Sequence, residues 1–135
     1  MKIYFDENFS PTLVEALRIL HRGAGEDHIE IYHIAKEFGR GSKDEDWIPK
    51  IGTQRGIVIS QDKNIYYRVP QLDTLKKYNI GFFFYKYPKN HHLKFWDWTR
   101  EIINTLDDIK HYSARTSLPF AFLKCTDKKK FDSLF

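Results

Sequence analysis

The chain has 135 residues, 41% hydrophobic and 16% aromatic, enough apolar material for one folded core, which excludes an intrinsically disordered chain. No apolar run approaches the roughly 18 residues of a membrane span. The start, Met1 to Asp6, lacks the long apolar region of a secretory leader, and the single cysteine, Cys125, excludes an internal disulfide, so a cytoplasmic protein is expected.

The net charge of +4 points weakly to a polyanionic partner. Its distribution says more. Lys86, Lys89, His91, His92 and Lys94 cluster in one stretch, and Lys124 with Lys128, Lys129 and Lys130 in another. Acids concentrate at 6–7 and 44–46. A basic rim around an acidic pocket suits a polyanion processed with a metal ion. Plain solvated faces and tails account for lysine runs equally well.

Strand and helix signals alternate along the chain. Residues 2–5 read as a short buried strand ended by Asp6. Ser10 is a good helix N-cap with Pro11 at the first helical position, and Leu13, Val14, Leu17 and Leu20 follow at helical spacing. Gly23, Ala24 and Gly25 end that helix. Residues 29–34 read as a second strand, followed by a polar loop, Gly39 to Ser42. Ser42-Lys43-Asp44-Glu45 matches a capping box, predicting a helix to about residue 55 that tolerates Pro49 near its first turns.

A third strand is predicted at 57–60, with Asp62-Lys63-Asn64 as the turn beyond it, then a short helix over 71–78. Residues 80–85 form an apolar run suited to a strand buried on both faces. The clearest helix is 93–110, where Phe95, Trp98, Ile102, Leu106 and Ile109 keep one apolar stripe. Residues 119–125 suit a final strand. The polar segment 126–135, with Phe131, Leu134 and Phe135, reads as a mobile tail or a docking segment after a domain of residues 1–125. The pattern predicts an α/β fold, a three-layer sandwich with a mostly parallel central sheet.

In such a sheet the carboxyl ends of the strands form one rim where ligands bind. Asp6 and Asp62 follow two strands, and Asp44 opens a helix between them. Carboxylates gathered at a rim repel one another unless neutralised, and a hard divalent cation with oxygen ligands is the usual solution. Phosphodiester hydrolysis needs a nucleophile formed at neutral pH and relief of phosphate charge, and a bound Mg²⁺ or Mn²⁺ supplies both.

At these positions the chain resembles a known family. Phe5-Asp6-Glu7-Asn8-Phe9-Ser10-Pro11, then Gly41 to Ile48, then Val58 to Asn64, look like the PIN-like domain of VapC-type toxins, over residues 1 to about 124. The resemblance implies a Mg²⁺- or Mn²⁺-dependent ribonuclease of the cytoplasm, often the toxin of a toxin–antitoxin pair and often a homodimer. Carried over position by position, the catalytic metal ligands would be Asp6, Asp44 and Asp62. Glu7, Asp46 and Asn64 are weaker candidates, and Ser60 is a further oxygen donor on the same rim. Lys63, Tyr66, Tyr67, Lys86, Lys89, His91 and His92 are candidates for contacting RNA, the two tyrosines by stacking on bases.

Each acid also has a plainer reading. Asp6 and Asp62 serve as cap or turn formers, Asp44 suits any helix N-terminus, and Asp46 suits the surface. Lys63 suits a solvated turn, and His91 and His92 the surface, since no Cys or His spacing matches zinc. Trp98 belongs to the apolar stripe and so to the core. Two other function classes remain: a nuclease-inactive PIN-like module that only binds a partner, and a receiver-like phosphoacceptor domain. The second shares the acidic pair Asp6-Glu7 and Asp62 but leaves Asp44 without a role.

Overall fold

The computed structural model describes residues 1–61, 69–88 and 92–135. Six strands form one sheet in the order β2-β1-β3-β4-β5-β6. They are β1 (Lys2–Phe5), β2 (Glu30–His33), β3 (Ile57–Ser60), β4 (Gly81–Lys86), β5 (Phe120–Cys125) and β6 (Asp132–Ser133). The first five run parallel, and β6 returns antiparallel to β5. The helices are α1 (Pro11–Gly23), α2 (Ile34–Phe38), α3 (Asp44–Thr53), α4 (Val69–Lys77) and α5 (Phe95–Arg115). The expected three-layer α/β sandwich is what forms. No helix among the described residues is long and apolar enough to cross a membrane.

Strand period 2 splits each strand between two cores. Ile3, Phe5, Ile59, Phe83 and Tyr85 pack with Leu13, Leu17, Trp98 and Ile102 of α1 and α5. Tyr4, Val58, Phe82 and Phe84 pack on the other face with Ile34, Trp47, Ile51 and Leu75 of α2, α3 and α4. Burial on both faces explains why these strands read as unbroken apolar runs rather than alternating ones.

Local chemistry sets the helix ends. The Ser10 hydroxyl accepts from the backbone N–H groups of Thr12 and Leu13 at 3.2 and 3.4 Å. At the other end of α1, Glu26 N–H donates to His21 O and Gly25 N–H to Arg22 O, with Gly25 at φ 73°. That is a Schellman stop, and it needs the left-handed conformation glycine allows. At the start of α5, Asp97 Oδ2 accepts the Lys94 N–H at 2.9 Å, a bond that holds the Asp97 carboxyl below its usual range.

Two details depart from expectation, and a third chooses between two readings. Residues 34–38 are helical, so β2 ends at His33 and turns directly into α2. The capping box at Ser42 does not form: Lys43 is the N-cap of α3, and Ser42 Oγ donates to Gly39 O at 2.6 Å inside the loop. The segment after residue 125 docks instead of trailing. Phe131 is buried and packs edge-on against Phe83 and Tyr85, while β6 pairs with β5.

Two polar groupings support the architecture. Lys124, on β5, is 4% exposed and forms an ion pair with Glu101 of α5. Beside it, Thr105 Oγ1 donates to Glu101 O at 2.7 Å, so at the 2.5 Å contact between Tyr85 and Thr105 the phenol is the donor. Burial pushes the Tyr85 phenol well above its ordinary value. At the opposite edge, Glu30 N–H pairs inward with Met1 O, so the next carbonyl, Ile31, faces outward. The Arg18 guanidinium covers it with two bonds, at 3.0 and 2.8 Å.

Candidate functional site

The strand order creates the site. From β1 the chain crosses to β2 on one side, and from β3 it crosses to β4 on the other. The loops leaving the carboxyl ends of β1 and β3 therefore part, and a crevice opens between them. Asp6 is the first residue beyond β1, Ser60 closes β3, and Gln61 is the first residue beyond it. The Asp6 N–H continues the ladder to Ile59 O at 3.0 Å, which gives its side chain a set direction.

Asp6 is 7% exposed, and a dense set of donors holds it. Its Oδ1 accepts the Asn8 N–H at 3.1 Å, closing an Asx turn. Its Oδ2 accepts the Ser60 hydroxyl at 2.5 Å and the Gln61 N–H at 3.2 Å. A buried carboxylate is costly unless hydrogen-bonded in this way. Asp6 thus forms a turn, the plainer role read for it from the sequence.

A cavity of about 50 Å³ is lined by Asp6, Glu7, Asn8, Ser42, Asp44 and Ser60, with Ile34, Trp47, Val58 and Phe82 as its apolar wall. Asp44 comes from the first residue of α3, half-buried, in a turn that also carries Glu45 and Asp46. Glu7 reaches the loop before α3, where its Oε2 accepts the Gly41 N–H at 3.0 Å. Gly41 sits at φ 74°, a conformation that favours glycine. This bond ties the turn after β1 to the segment that delivers Asp44.

Asp6, Asp44, Glu7 and Ser60 are thus brought together. Asp46 is not: it is exposed and does not line the cavity, because residues two apart on a helix point in different directions. Asp62, Lys63, Asn64, Tyr66, Tyr67, Lys89 and His91 lie outside the described residues. Lys86 closes β4, and His92 is exposed with its ring 5.8 Å from that of Tyr87. Trp98 is core, as the stripe predicted, and so is Trp47.

Sequence reasoning missed three contributors. Gln61 donates its backbone N–H to Asp6 and its side-chain Nε2 to Asn8 O at 2.7 Å. Asn8 supplies the turn. His33, 2% exposed at the end of β2, lies with Nε2 at 2.8 Å from Phe9 O, which can only accept, so Nε2 carries the hydrogen. That bond fixes the lead-in to α1. The one local signal for any of these was the spacing Asp6-x-Asn8, typical of an Asx turn.

The donor set is all oxygen, which suits a hard cation. Among the described residues no three His, Cys, Asp or Glu side chains are grouped to hold an ion. Mg²⁺ is usually held by one or two carboxylates plus water and substrate phosphates. Asp6 and Asp44 in one cavity fit that habit, while Glu7, the third acid of the lining, accepts the Gly41 N–H.

No curated protein and no solved structure matches the chain. A family model described as a PIN like domain matches residues 1–87, from β1 through β4, a span containing Asp6, Asp44 and position 62. That is more than half of the chain, it covers the whole crevice, and it is a nuclease-type fold: the chain belongs to the PIN-like domain family.

Proposed function

We propose that this chain is a ribonuclease that uses Mg²⁺ or Mn²⁺ held at Asp6 and Asp44, and that it acts as the toxin of a toxin–antitoxin pair. One observation carries the reading: Asp6 and Asp44, far apart in sequence, line one cavity beside Ser60 at the parting of the strands. When bound, the ion supplies an acidified water and relief of phosphate charge. The rest falls to the chain. Asp6, held by the donors of Asn8, Ser60 and Gln61, is pre-aimed and costs no reorganisation. Asp44 stands at a helix N-terminus whose dipole favours its negative charge. Asp62, the third acid of the family resemblance, completes the set in this reading. The antitoxin and a homodimer rest on that resemblance alone.

The test is cleavage of single-stranded and structured RNA by the purified chain, with Mg²⁺ or Mn²⁺ and with chelator. Asp6→Asn and Asp44→Asn each lower the rate by about 100-fold or more, since metal charge stabilisation is worth several kcal/mol and about 1.4 kcal/mol is tenfold. Asp46→Asn, off the cavity, leaves it within a few-fold. Equal rates for all three variants would remove the two-acid site. The other reading is a module that only binds a partner. That reading predicts no cleavage under any ion, and growth arrest on expression that survives Asp6→Asn.

A further inference from the structure

A second cavity, of about 260 Å³, adjoins the acidic one and shares Asn8 with it. It lies on the α1–α5 side of the rim, with Phe9 and Leu13 on its inner side. Its aromatic wall is Trp98 and Phe95, its polar wall Asn8, Ser10 and Gln61. We propose that this cavity takes one unstacked base of single-stranded RNA, next to the phosphodiester presented to Asp6 and Asp44. The proposal deepens the ribonuclease reading and rests on it for the position of the phosphate.

Three features point to a base. First, the lining is mixed in the way a base requires. Sequence-tolerant RNA binding stacks base faces on aromatic rings, while side-chain amides reach the base edges. Asn8 and Gln61 carry amides, which both donate and accept. Second, the aromatic wall is rigid. Trp98 is clamped edge-to-face by Phe9 at 5.3 Å, Tyr85 at 5.9 Å and Tyr87 at 6.3 Å. Phe95 stands beside it, 40% exposed, braced edge-on by Trp96 at 5.2 Å. Phe95 therefore offers an open ring at the cavity mouth.

Third, the two cavities are coupled through one residue. Gln61 donates its backbone N–H to Asp6 Oδ2 and its side-chain amide to Asn8 O, and it also lines the second cavity. Gln61 thus links a base seated there to the acid. Seating it selects single strands, because a base in a duplex stays in the stack.

The test measures binding separately from cleavage. A labelled pentaribonucleotide, and a set of the same oligonucleotide with one abasic position each, are titrated by anisotropy with Ca²⁺ in place of Mg²⁺. Stacking of one base corresponds to about a 5- to 150-fold change in affinity. One abasic position costs the parent that factor. Phe95→Ala loses a similar factor on the intact strand and no longer distinguishes the abasic one. Phe95→Tyr restores both, and thermal melts confirm that the variants fold. Phe95→Ala binding as tightly as the parent, an unchanged abasic penalty in that variant, or no binding by the parent would overturn the subsite. Cleavage by the parent in Mg²⁺, run in parallel, separates the two ideas. Cleavage without base-dependent binding keeps the nuclease and removes the subsite, and base-dependent binding without cleavage does the reverse.

Discussion

Asp6→Asn changes one buried carboxylate into an amide of the same shape, and the described donors set the size of the effect. A hydrogen bond to a charged acceptor contributes about 1.5–3 kcal/mol and a neutral one about 0.5–1.5 kcal/mol. If the new carbonyl oxygen takes the place of Oδ2, it keeps the Ser60 hydroxyl and the Gln61 N–H but weakens each bond by about 1 kcal/mol. The amide nitrogen then faces the Asn8 N–H, donor against donor, and an unsatisfied buried donor costs about 1–3 kcal/mol. Relief of repulsion from Asp44 acts the other way. A net loss of about 2–4 kcal/mol is expected, a large share of the about 5–15 kcal/mol that holds a domain together. Urea unfolding in chelator measures it directly. Saturating Mg²⁺ then provides a second readout, since an ion at 100 times its Kd stabilises the parent by about 2.7 kcal/mol and the variant by nothing. A variant as stable as the parent in chelator would show that repulsion, not the donor network, dominates this carboxylate. A variant that gained as much from Mg²⁺ would place the ion elsewhere.

Other perturbations probe the scaffold around the site. Glu101→Gln leaves Lys124 buried without its counter-charge and costs about 3–5 kcal/mol in urea unfolding, whereas Glu101→Leu with Lys124→Met together recovers most of it. Gly52→Ala places a methyl 2.5 Å from the backbone oxygen of Tyr78, which cannot swing aside, so a loss of about 1–3 kcal/mol is expected in the same assay. Phe131→Ala empties a place among Phe83, Tyr85 and Tyr112 and costs about 3–5 kcal/mol, and an unchanged midpoint would return segment 126–135 to the status of a tail. Burial raises the Tyr85 phenol above its unfolded value of about 10, so its contribution is intact below that pH and is lost as pH rises toward the folded value. Stability measured from pH 8 to 11 falls beyond about pH 10, and Tyr85→Phe flattens that fall.

The parts legible in the sequence were those with local causes. The strand at 2–5, the Ser10-Pro11 start of α1 and the long stripe of α5 each carry their periodicity or cap in adjacent residues. That Asp6 and Asp44 share a rim was legible because an acid just past a strand or at a helix start has a direction. The losses were non-local or too short. Helix α2 has five residues and no side-chain cap, so nothing announced it. Ser42 matched a capping pattern, but its hydroxyl is engaged within a loop that Glu7, 34 residues from Gly41, holds in place. Gln61 became a partner of Asp6 only because β1 and β3 are neighbours, a fact of sheet order. The difference between Asp44 and Asp46 was available from helix geometry alone.

The covering of the Ile31 carbonyl by Arg18 has a consequence for how this molecule meets others. An open sheet offers two margins where a foreign strand can add on, and long flat margins template aggregation. Here the β2 margin is four residues long, and its outward acceptor is already occupied by a guanidinium. The opposite margin ends in the two-residue β6, which begins at Asp132 and follows the lysines at 128–130. Neither gives an incoming strand a run of open backbone groups. A neutralising partner that works by extending the sheet would have to displace Arg18 first. Arg18→Ala would uncover that margin, and increased light scattering at high protein concentration would report it.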